Sequence, residues 1–504
     1  MLLTRGSHGA TPLHRQVYES VLALIEDGAL RPGDRLPPTR QLAASAGVHR
    51  STVVRAYEEL RALGVVESTQ GSYTTVRHRS RLKGAAVARN DGARQAPCVD
   101  WLRAANRRAL LAREFGPLAA PTPAPDGVVD FDRLTADPDL APVDELRACL
   151  RRAVAREGVS AFDYAEPAGW APLREIVARR LRAHGIAVTR DEVLITAGAQ
   201  HALDLVMRLL VTAGDRVAVE APTYGAAHAL LRLHGAKPVE ITMRHDGMDL
   251  DALERCLRRA KPKLVYTIPT FHNPTGTTTN QAHRERLLAL CERARVPLVE
   301  DGFEEEMKYF GKAALPIKSM DVSGIVLYIG TLSKVVFPGL RIGWIAASPE
   351  VIATLASMQH ASSLAVNTVA QIVAARFCDG GEFDAHLRRI HRVYRRRMQH
   401  MLRSLDERLP PEIVRTRPVG GYTIWLTLPE SAQDETAWLR RIAAAGVRVG
   451  PGSRFFAKPP KRVHFRLSFA CADEEQIRDG CRRLGRALEG ALRTEQARGL
   501  ADAR

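Results

Sequence analysis

The chain has 504 residues, 45% of them hydrophobic and 26% charged, enough apolar material for a large core and two or three domains. No run of about 18 apolar residues is present to cross a membrane, and the start Met1-Leu2-Leu3-Thr4-Arg5 lacks the apolar stretch of a signal peptide, so no membrane partner and a cytoplasmic location are expected. The seven cysteines are scattered, odd in number and without C-x-x-C spacing, which argues against a disulfide framework or a metal site, while the formal charge of +17 invites a nucleic-acid partner.

Residues 1–83 hold 12 Lys/Arg against 7 Asp/Glu, so the basic excess is only slightly denser at the front and a DNA-binding reading must rest on pattern. Between Pro12 and Ala29 the apolar residues Leu13, Val17, Val21, Leu22, Leu24 and Ile25 recur at helical spacing, and Gly28 marks the helix end. A Pro32-Gly33 turn leads to a second helix with Thr39 as its expected N-cap. After the tight turn Ala46-Gly47-Val48, a third helix is expected over 49–60. Val53, Val54, Tyr57 and Leu60 form its inward face. The opposite face presents Arg50, Ser51, Thr52 and Arg55, short hydroxyls and forked cations suited to phosphates and base edges in a major groove. Residues 65–68 and 73–76 read as two strands joined by Gln70-Gly71-Ser72, a wing.

This stretch closely resembles the GntR-type winged helix, whose pattern L-x-P-G-x-x-L-P-x-x-R-x-L-A, G-V-x-R-x-T-V and A-Y-x-x-L it follows from Leu30 to Leu60. The resemblance implies a DNA-binding domain over 10–77, with operator contacts at Arg40, Arg50, Ser51, Thr52, Arg55 and the wing-tip Gly71. Tyr73 stands where the family usually has glycine.

Residues 78–127 change character, with the basic run Arg77-His78-Arg79-Ser80-Arg81 at one end and Pro117, Pro121, Pro123 and Pro125 at the other. One amphipathic helix is expected within 99–115, carrying Trp101, Leu102, Leu110, Leu111 and Phe115, inside an otherwise open linker.

From 128 onward helical stretches alternate with short apolar strands at 193–196, 216–219, 263–267, 297–300 and 325–329, a rhythm that predicts an α/β domain with a mainly parallel central sheet. Ligand groups then belong at strand ends and helix starts. Gly198-Ala199-Gln200 follows a strand and opens a helix, where backbone N–H groups can receive a phosphate. Tyr224 is placed to stack on a flat ring, Asn273 offers an amide, and Asp301 can pair with a protonated ring nitrogen. The most telling segment is Gly330-Thr331-Leu332-Ser333-Lys334, which sets one lysine between small hydroxyl residues and seven positions ahead of Arg341. A Schiff-base lysine must be partly desolvated to be neutral, while hydroxyls and a guanidinium neutralise a phosphate, and these are the demands of pyridoxal 5'-phosphate.

The order Asn273, Asp301, Lys334, Arg341 resembles the fold type I aminotransferases of class I, and the likeness runs over roughly 130–490. It implies a cofactor domain at 128–492 with a smaller C-terminal α/β subdomain, Lys334 as the lysine of the internal aldimine, Asp301 on the pyridine nitrogen and Asn273 on the phenolic oxygen. Thr331, Ser333, Arg341 and the backbone of Gly198, Ala199 and Gln200 then hold the phosphate. Tyr164 reaches it from a partner subunit, which implies a homodimer, and Arg466 clamps an effector or substrate carboxylate. Phe303 replaces a tyrosine usual in the family, removing a donor to the phenolic oxygen, so transamination is expected to be slow or absent.

As a whole the chain resembles the MocR/GabR family of bacterial regulators. That implies a DNA-binding regulator in which an amine or amino-acid effector reacts at Lys334 and changes operator affinity. Two other readings stay open on the sequence: a working aminotransferase with an accessory DNA-binding domain, and a regulator that senses the cofactor itself.

Overall fold

The computed structural model describes residues 12–68, 73–77, 99–114, 124–311 and 314–502, and the chain divides into two compact units, Met1–Cys98 and Val99–Arg504. The first unit contains α1 (Leu13–Glu26), α2 (Thr39–Ala46), α3 (Arg50–Ala62), β1 (Val66–Ser68) and β2 (Thr74–Val76). The second begins with α4 (Trp101–Ala104), α5 (Arg107–Glu114), β3 (Val129–Asp130), α6 (Val143–Glu157), α7 (Ala171–Ala183), β4 (Val193–Thr196), α8 (Ala199–Leu210), β5 (Arg216–Ala221), α9 (Gly225–Leu233), β6 (Lys237–Arg244) and β7 (Gly247–Met248). It continues through α10 (Leu250–Arg259), β8 (Leu264–Thr267), α11 (Gln281–Ala294), β9 (Leu298–Asp301), β10 (Val326–Thr331), β11 (Gly343–Ala346), α12 (Pro349–Ser363), α13 (Thr368–Asp379) and α14 (Glu382–Arg408). It closes with β12 (Val414–Arg415), β13 (Thr423–Thr427), α15 (Glu435–Ala444), β14 (Val447–Arg448), β15 (Gly450–Pro451), β16 (His464–Ser468) and α16 (Glu474–Asp502).

The small unit is a three-helix cluster against an antiparallel two-stranded wing, with Val66 opposite Val76. Its core unites Val17 and Val21 of α1, Leu42 of α2 and Val53, Ala56, Tyr57 and Leu60 of α3. The loop before α2 is stitched to the wing by Leu36 N–H on the Thr74 carbonyl at 2.8 Å and Gly33 N–H on that of Val76 at 2.8 Å. Tyr57 donates to the Pro37 carbonyl at 2.9 Å, tying α3 to the same loop. Leu60 has no exposed surface, and its truncation to alanine leaves a cavity among these neighbours. Leu60→Ala is expected to cost about 2–5 kcal/mol, seen as a lower melting transition of the small unit in thermal denaturation with the visible spectrum of the loaded protein unchanged.

Three local expectations are corrected. Thr39 is the first helical residue of α2 rather than its cap; Pro38 precedes it with extended geometry and no side-chain cap bond. The third helix starts at Arg50, because His49 has extended geometry and its ring accepts from Ser51 N–H as the N-cap. The single helix expected within 99–115 is two, α4 and α5, since Ala105 is extended and Asn106 restarts the helix by accepting from the Ala109 N–H at 3.0 Å. Trp101 and Leu102 of α4 stay exposed, and only Leu111 of α5 is half-buried, so little apolar surface spans the break to hold one continuous helix together. Phe115 and the wing-tip Gly71 lie outside the described residues.

In the large unit an eight-stranded sheet runs in the order β4-β11-β10-β9-β8-β5-β6-β7. The strands from β10 through β6 pair in parallel, while β4, β11 and β7 pair antiparallel with their neighbours. Strands β4, β8, β9 and β10 are buried along their whole length, which is why they read as continuous apolar runs rather than alternating ones. A second, antiparallel sheet, β12-β13-β16-β15, packs with α14, α15 and α16 to form the C-terminal subdomain. The first strand of the large unit, β3, pairs with β14, so the chain is fastened to that subdomain before it enters the main sheet. The final helix runs past the expected boundary at 492 to Asp502.

Candidate functional site

The carboxyl ends of the parallel strands converge on a cavity of about 790 Å³. On one side β4 turns into α8 at Gly198, whose φ of +92° is the left-handed geometry glycine tolerates. A Cβ there would be strained by that φ and would come within 2.8 Å of the end of the Arg341 side chain. Arg341 donates to the Ala197 carbonyl at 2.6 Å and faces the start of α8, the positive end of a helix dipole. Thr331 and Ser333 are buried beside it; Ser333 N–H donates to Thr331 Oγ1 at 3.1 Å. Together these groups form a cationic, hydroxyl-lined pocket whose chemistry fits a phosphate.

Lys334 follows at the cavity floor. Its amine donates to the Leu134 carbonyl, and its own carbonyl accepts from Tyr422 Oη at 2.7 Å. Burial lowers its pKa from the ordinary 10.5 to about 8, which raises the neutral, nucleophilic fraction near physiological pH. Asp301, at the end of β9, is 5% exposed. Oδ2 accepts from Tyr266 Oη at 2.7 Å, whereas Oδ1 is buried with no partner among the described residues. Burial raises its pKa to about 6. An orphaned carboxylate oxygen in a dry site is costly unless a cation or donor meets it, and a protonated ring nitrogen is such a partner. Phosphate cradle, amine and orphaned carboxylate oxygen thus suit the phosphate, the aldehyde and the ring nitrogen of pyridoxal phosphate.

Tyr224 precedes α9 and lines the cavity; burial pushes its hydroxyl up to about 12, so it remains neutral. Asn273 is buried, and its Oδ1 accepts from Arg466 Nη1 at 3.2 Å. Arg466, on β16, is buried over the Phe455 ring and also donates through Nη2 to the Asp132 carbonyl at 2.6 Å, while its Nε has no partner among the described residues. The cavity therefore brings together Ala199, Gln200, Tyr224, Asn273, Asp301, Thr331, Ser333, Lys334, Arg341 and Arg466. Phe303 lines it too, placing a hydrocarbon ring where a phenol would donate. Tyr164 is not brought in: it is 75% exposed, outside the cavity lining of its own chain.

Four contributors escaped the sequence. Tyr266 reaches Asp301 because β8 and β9 are parallel neighbours, with Tyr266 opposite Val299, and nothing local announces that register. Glu304 is fully buried with both carboxylate oxygens unpartnered among the described residues, and burial raises its pKa to about 8. The run Glu304-Glu305-Glu306 directly after Phe303 was its only trace in the sequence. Asp132 and Leu134 come from the segment after β3, far from the motifs in sequence.

On the small unit, Arg40, Arg50, Ser51 and Arg55 are exposed and Thr52 is half-buried, all on or beside the outer face of α3. Arg50 Nε sits 3.5 Å from Thr39 Oγ1, Ser51 Oγ is 2.7 Å from His49 Nδ1, and Arg55 pairs loosely with Glu59 at 3.7 Å. These exposed, weakly held contacts leave the face able to exchange its partners for phosphates and bases. Tyr73, at the base of the wing, lies under the Arg35 guanidinium at 4.4 Å, a cation–π contact that a glycine there could not make.

Residues 135–484 match the family Aminotransferase class I and II, and residues 13–76 match Bacterial regulatory proteins, gntR family. With the geometry above, they define a class: a winged helix joined to a pyridoxal-phosphate-dependent aminotransferase fold. The structure of LysN, an alpha-aminoadipate aminotransferase from Thermus thermophilus complexed with N-(5'-phosphopyridoxyl)-L-leucine, matches with a TM-score of 0.71 and 35% identity, covering 79% of this chain and all of that one. Relatives that span both parts include the HTH-type transcriptional regulator TauR of Rhodobacter capsulatus, 32% identical across 96% of this chain and 98% of that protein. The "Probable rhizopine catabolism regulatory protein MocR" of Rhizobium meliloti is 30% identical across 96% of this chain and 97% of its own length. The chain belongs to the MocR/GabR family of GntR-type transcriptional regulators, and to the class I and II aminotransferases through its larger part.

Proposed function

We propose that this protein is a cytoplasmic, homodimeric regulator in which an amine or amino-acid effector, received at Lys334 and Arg466, alters the affinity of the winged helix for its operator. The observation that carries the proposal is one chain holding both an ordered DNA-reading face on α3 and a buried lysine with an orphaned aspartate oxygen at the sheet ends. Domains of 10–77 and 128–492, joined by a linker at 78–127, suit that division of labour. The exposure of Tyr164 away from its own cavity favours a role in a partner subunit's site.

Pyridoxal phosphate, when bound, supplies an aldehyde that condenses with amines and a ring that withdraws electrons. Around it Asp301 would keep a negative charge against the ring nitrogen, Arg341, Thr331, Ser333 and the start of α8 would hold the phosphate, and Tyr224 would pack on the ring. Asn273 would donate through its amide nitrogen to the phenolic oxygen, since its Oδ1 is held by Arg466. Arg466 orients a carboxylate. An effector that prefers one arrangement of the units shifts operator affinity by its differential binding alone.

The test is operator binding by the loaded protein with and without a panel of amino acids, read beside its visible spectrum. A persistent spectral shift accompanied by changed DNA affinity supports the regulator. A band that bleaches with an amino acid and returns with a 2-oxo acid, without any effect on DNA binding, would identify a working aminotransferase instead. Phe303 bears on this choice, because a phenol at 303 would add a donor to the cofactor's phenolic oxygen. Phe303→Tyr is expected to move the pH midpoint of the cofactor band down by about one unit, the scale of one hydrogen bond to a charged oxygen. An unmoved midpoint would count against the assigned role of this position.

A further inference from the structure

The arginine assigned to the effector's carboxylate already holds a carboxylate of its own chain. Asp132 Oδ1 lies 3.2 Å from Arg466 Nη2 and 2.9 Å from Arg454 Nη1, and its Oδ2 lies 3.3 Å from Arg454 Nη2. The carboxylate is seated against Gly450, where a Cβ would come within 2.8 Å of Oδ1, so a larger residue at 450 would close the seat. All three charged side chains line the cavity that contains Lys334.

We propose that Asp132 is a built-in competitor that an acid-bearing effector displaces from Arg466. The proposal rests on the regulator reading above and adds the effector class, an amine carrying an acid group, and the way its arrival is felt. Asp132 offers Arg466 only Oδ1, an oxygen it shares with Arg454, and Arg466 Nε is buried without a partner among the described residues. A ligand carboxylate can engage Nε and Nη2 together in the bidentate geometry that guanidinium favours, so it binds Arg466 better than Asp132 does. Displacement is not costly, because Asp132 keeps Arg454, whose side chain is 40% exposed and free to follow it.

The same short segment carries the second contact. Leu134, two residues on, accepts from the Lys334 amine. An amine received at Lys334 and a carboxylate received at Arg466 therefore remove two of the polar contacts on residues 132–134, those of the Leu134 carbonyl and of the Asp132 carboxylate with Arg466, while the Asp132 carbonyl keeps Arg466 Nη2 at 2.6 Å and its carboxylate keeps Arg454. Asp130 stays behind as the anchor: its Oδ1 accepts from the N–H groups of Asp132 at 2.9 Å and Arg133 at 3.2 Å, its Oδ2 lies 3.3 Å from Arg448, and β3 pairs with β14. A monoamine without an acid group removes only the Lys334 contact and leaves Asp132 in place.

The experiment uses full-length protein loaded with pyridoxal phosphate, titrated by visible absorbance with the matched pairs glycine and methylamine, and L-alanine and ethylamine. Asp132→Asn, which keeps the side chain's shape, and Asp132→Ala are expected to tighten binding of the acid-bearing member of each pair by about tenfold and to leave the acid-free member unchanged. In the unsubstituted protein, hydrogen exchange of the peptide over 132–136 is expected to rise with glycine and not with methylamine. Equal changes for both members of a pair would show a merely structural Asp132, and weaker acid binding would show that Asp132 serves the ligand directly; either overturns the proposal. So does an exchange rate at 132–136 indifferent to the acid group. Amines that change operator affinity without any Asp132-dependent preference would sink this inference and leave the regulator reading standing. Acid-selective binding with no effect on DNA would do the reverse.

Discussion

Lys334→Ala should produce a protein with no covalently held cofactor, operator binding that no longer answers to any amine, and an intact DNA-binding unit. The reason is that Lys334 is the amine at the floor of the cavity, set against the cradle formed by Arg341, Thr331 and Ser333. Its reactivity can be tested by pH as well as by deletion. Attack on an aldehyde requires the neutral amine, and burial brings the pKa down from 10.5 to about 8. The rate at which cofactor-stripped protein regains its visible band should therefore climb with pH up to about 8 and flatten above it. An exposed lysine would still be gaining speed at pH 10. Glu304 acts in the opposite direction, because its buried carboxyl, itself raised to about 8, favours the charged amine wherever it is ionised. Glu304→Gln removes that attraction, so the midpoint of the loading profile should fall further. A midpoint that stays put, or rises, would mean that Glu304 does not share the field of Lys334.

What the sequence revealed of this site and what it hid divide along one physical line. Motif residues that lie within one loop or one helix start, such as Gly198 with Ala199 or Ser333 with Lys334, announce themselves because local backbone geometry fixes them together. Partners that meet only across the fold do not. Tyr266 finds Asp301 through the pairing of β8 with β9, and Asp132 finds Arg466 because β3 and β14 bring the start of the large unit to the C-terminal subdomain. The buried strands were legible as apolar runs, and their order in the sheet was not. The linker failed for another reason: 99–115 has an amphipathic pattern, but its apolar residues Trp101, Leu102 and Leu110 remain exposed and only Leu111 is half-buried, so periodicity had little packing to enforce it across the break. Asn106 then decides the break by capping a new helix.

On the DNA side, Arg50→Ala with Thr52→Ala should strongly weaken specific operator binding while the cofactor spectrum and its response to amines remain unchanged. Both residues lie in the first turn of α3, where the side chains of a recognition helix reach base edges, and neither contributes to the apolar core formed by Val53, Tyr57 and Leu60. The fold of the unit should therefore survive, which separates loss of recognition from loss of structure. A bidentate arginine contact to a base is worth about 1–3 kcal/mol, so removing it should weaken specific binding by about 10–100-fold, and loss of the Thr52 contact adds to that. Arg40, at the start of α2, is the control. If its role is to hold the phosphate backbone, Arg40→Ala should weaken specific and non-specific DNA about equally and reduce the salt dependence of binding by about one charge. Measured by titration of labelled duplexes at two salt concentrations, the two variants should thus fail differently. A double substitution that keeps the preference for operator over random DNA would remove α3 from the recognition surface, whatever the cavity in the larger unit does.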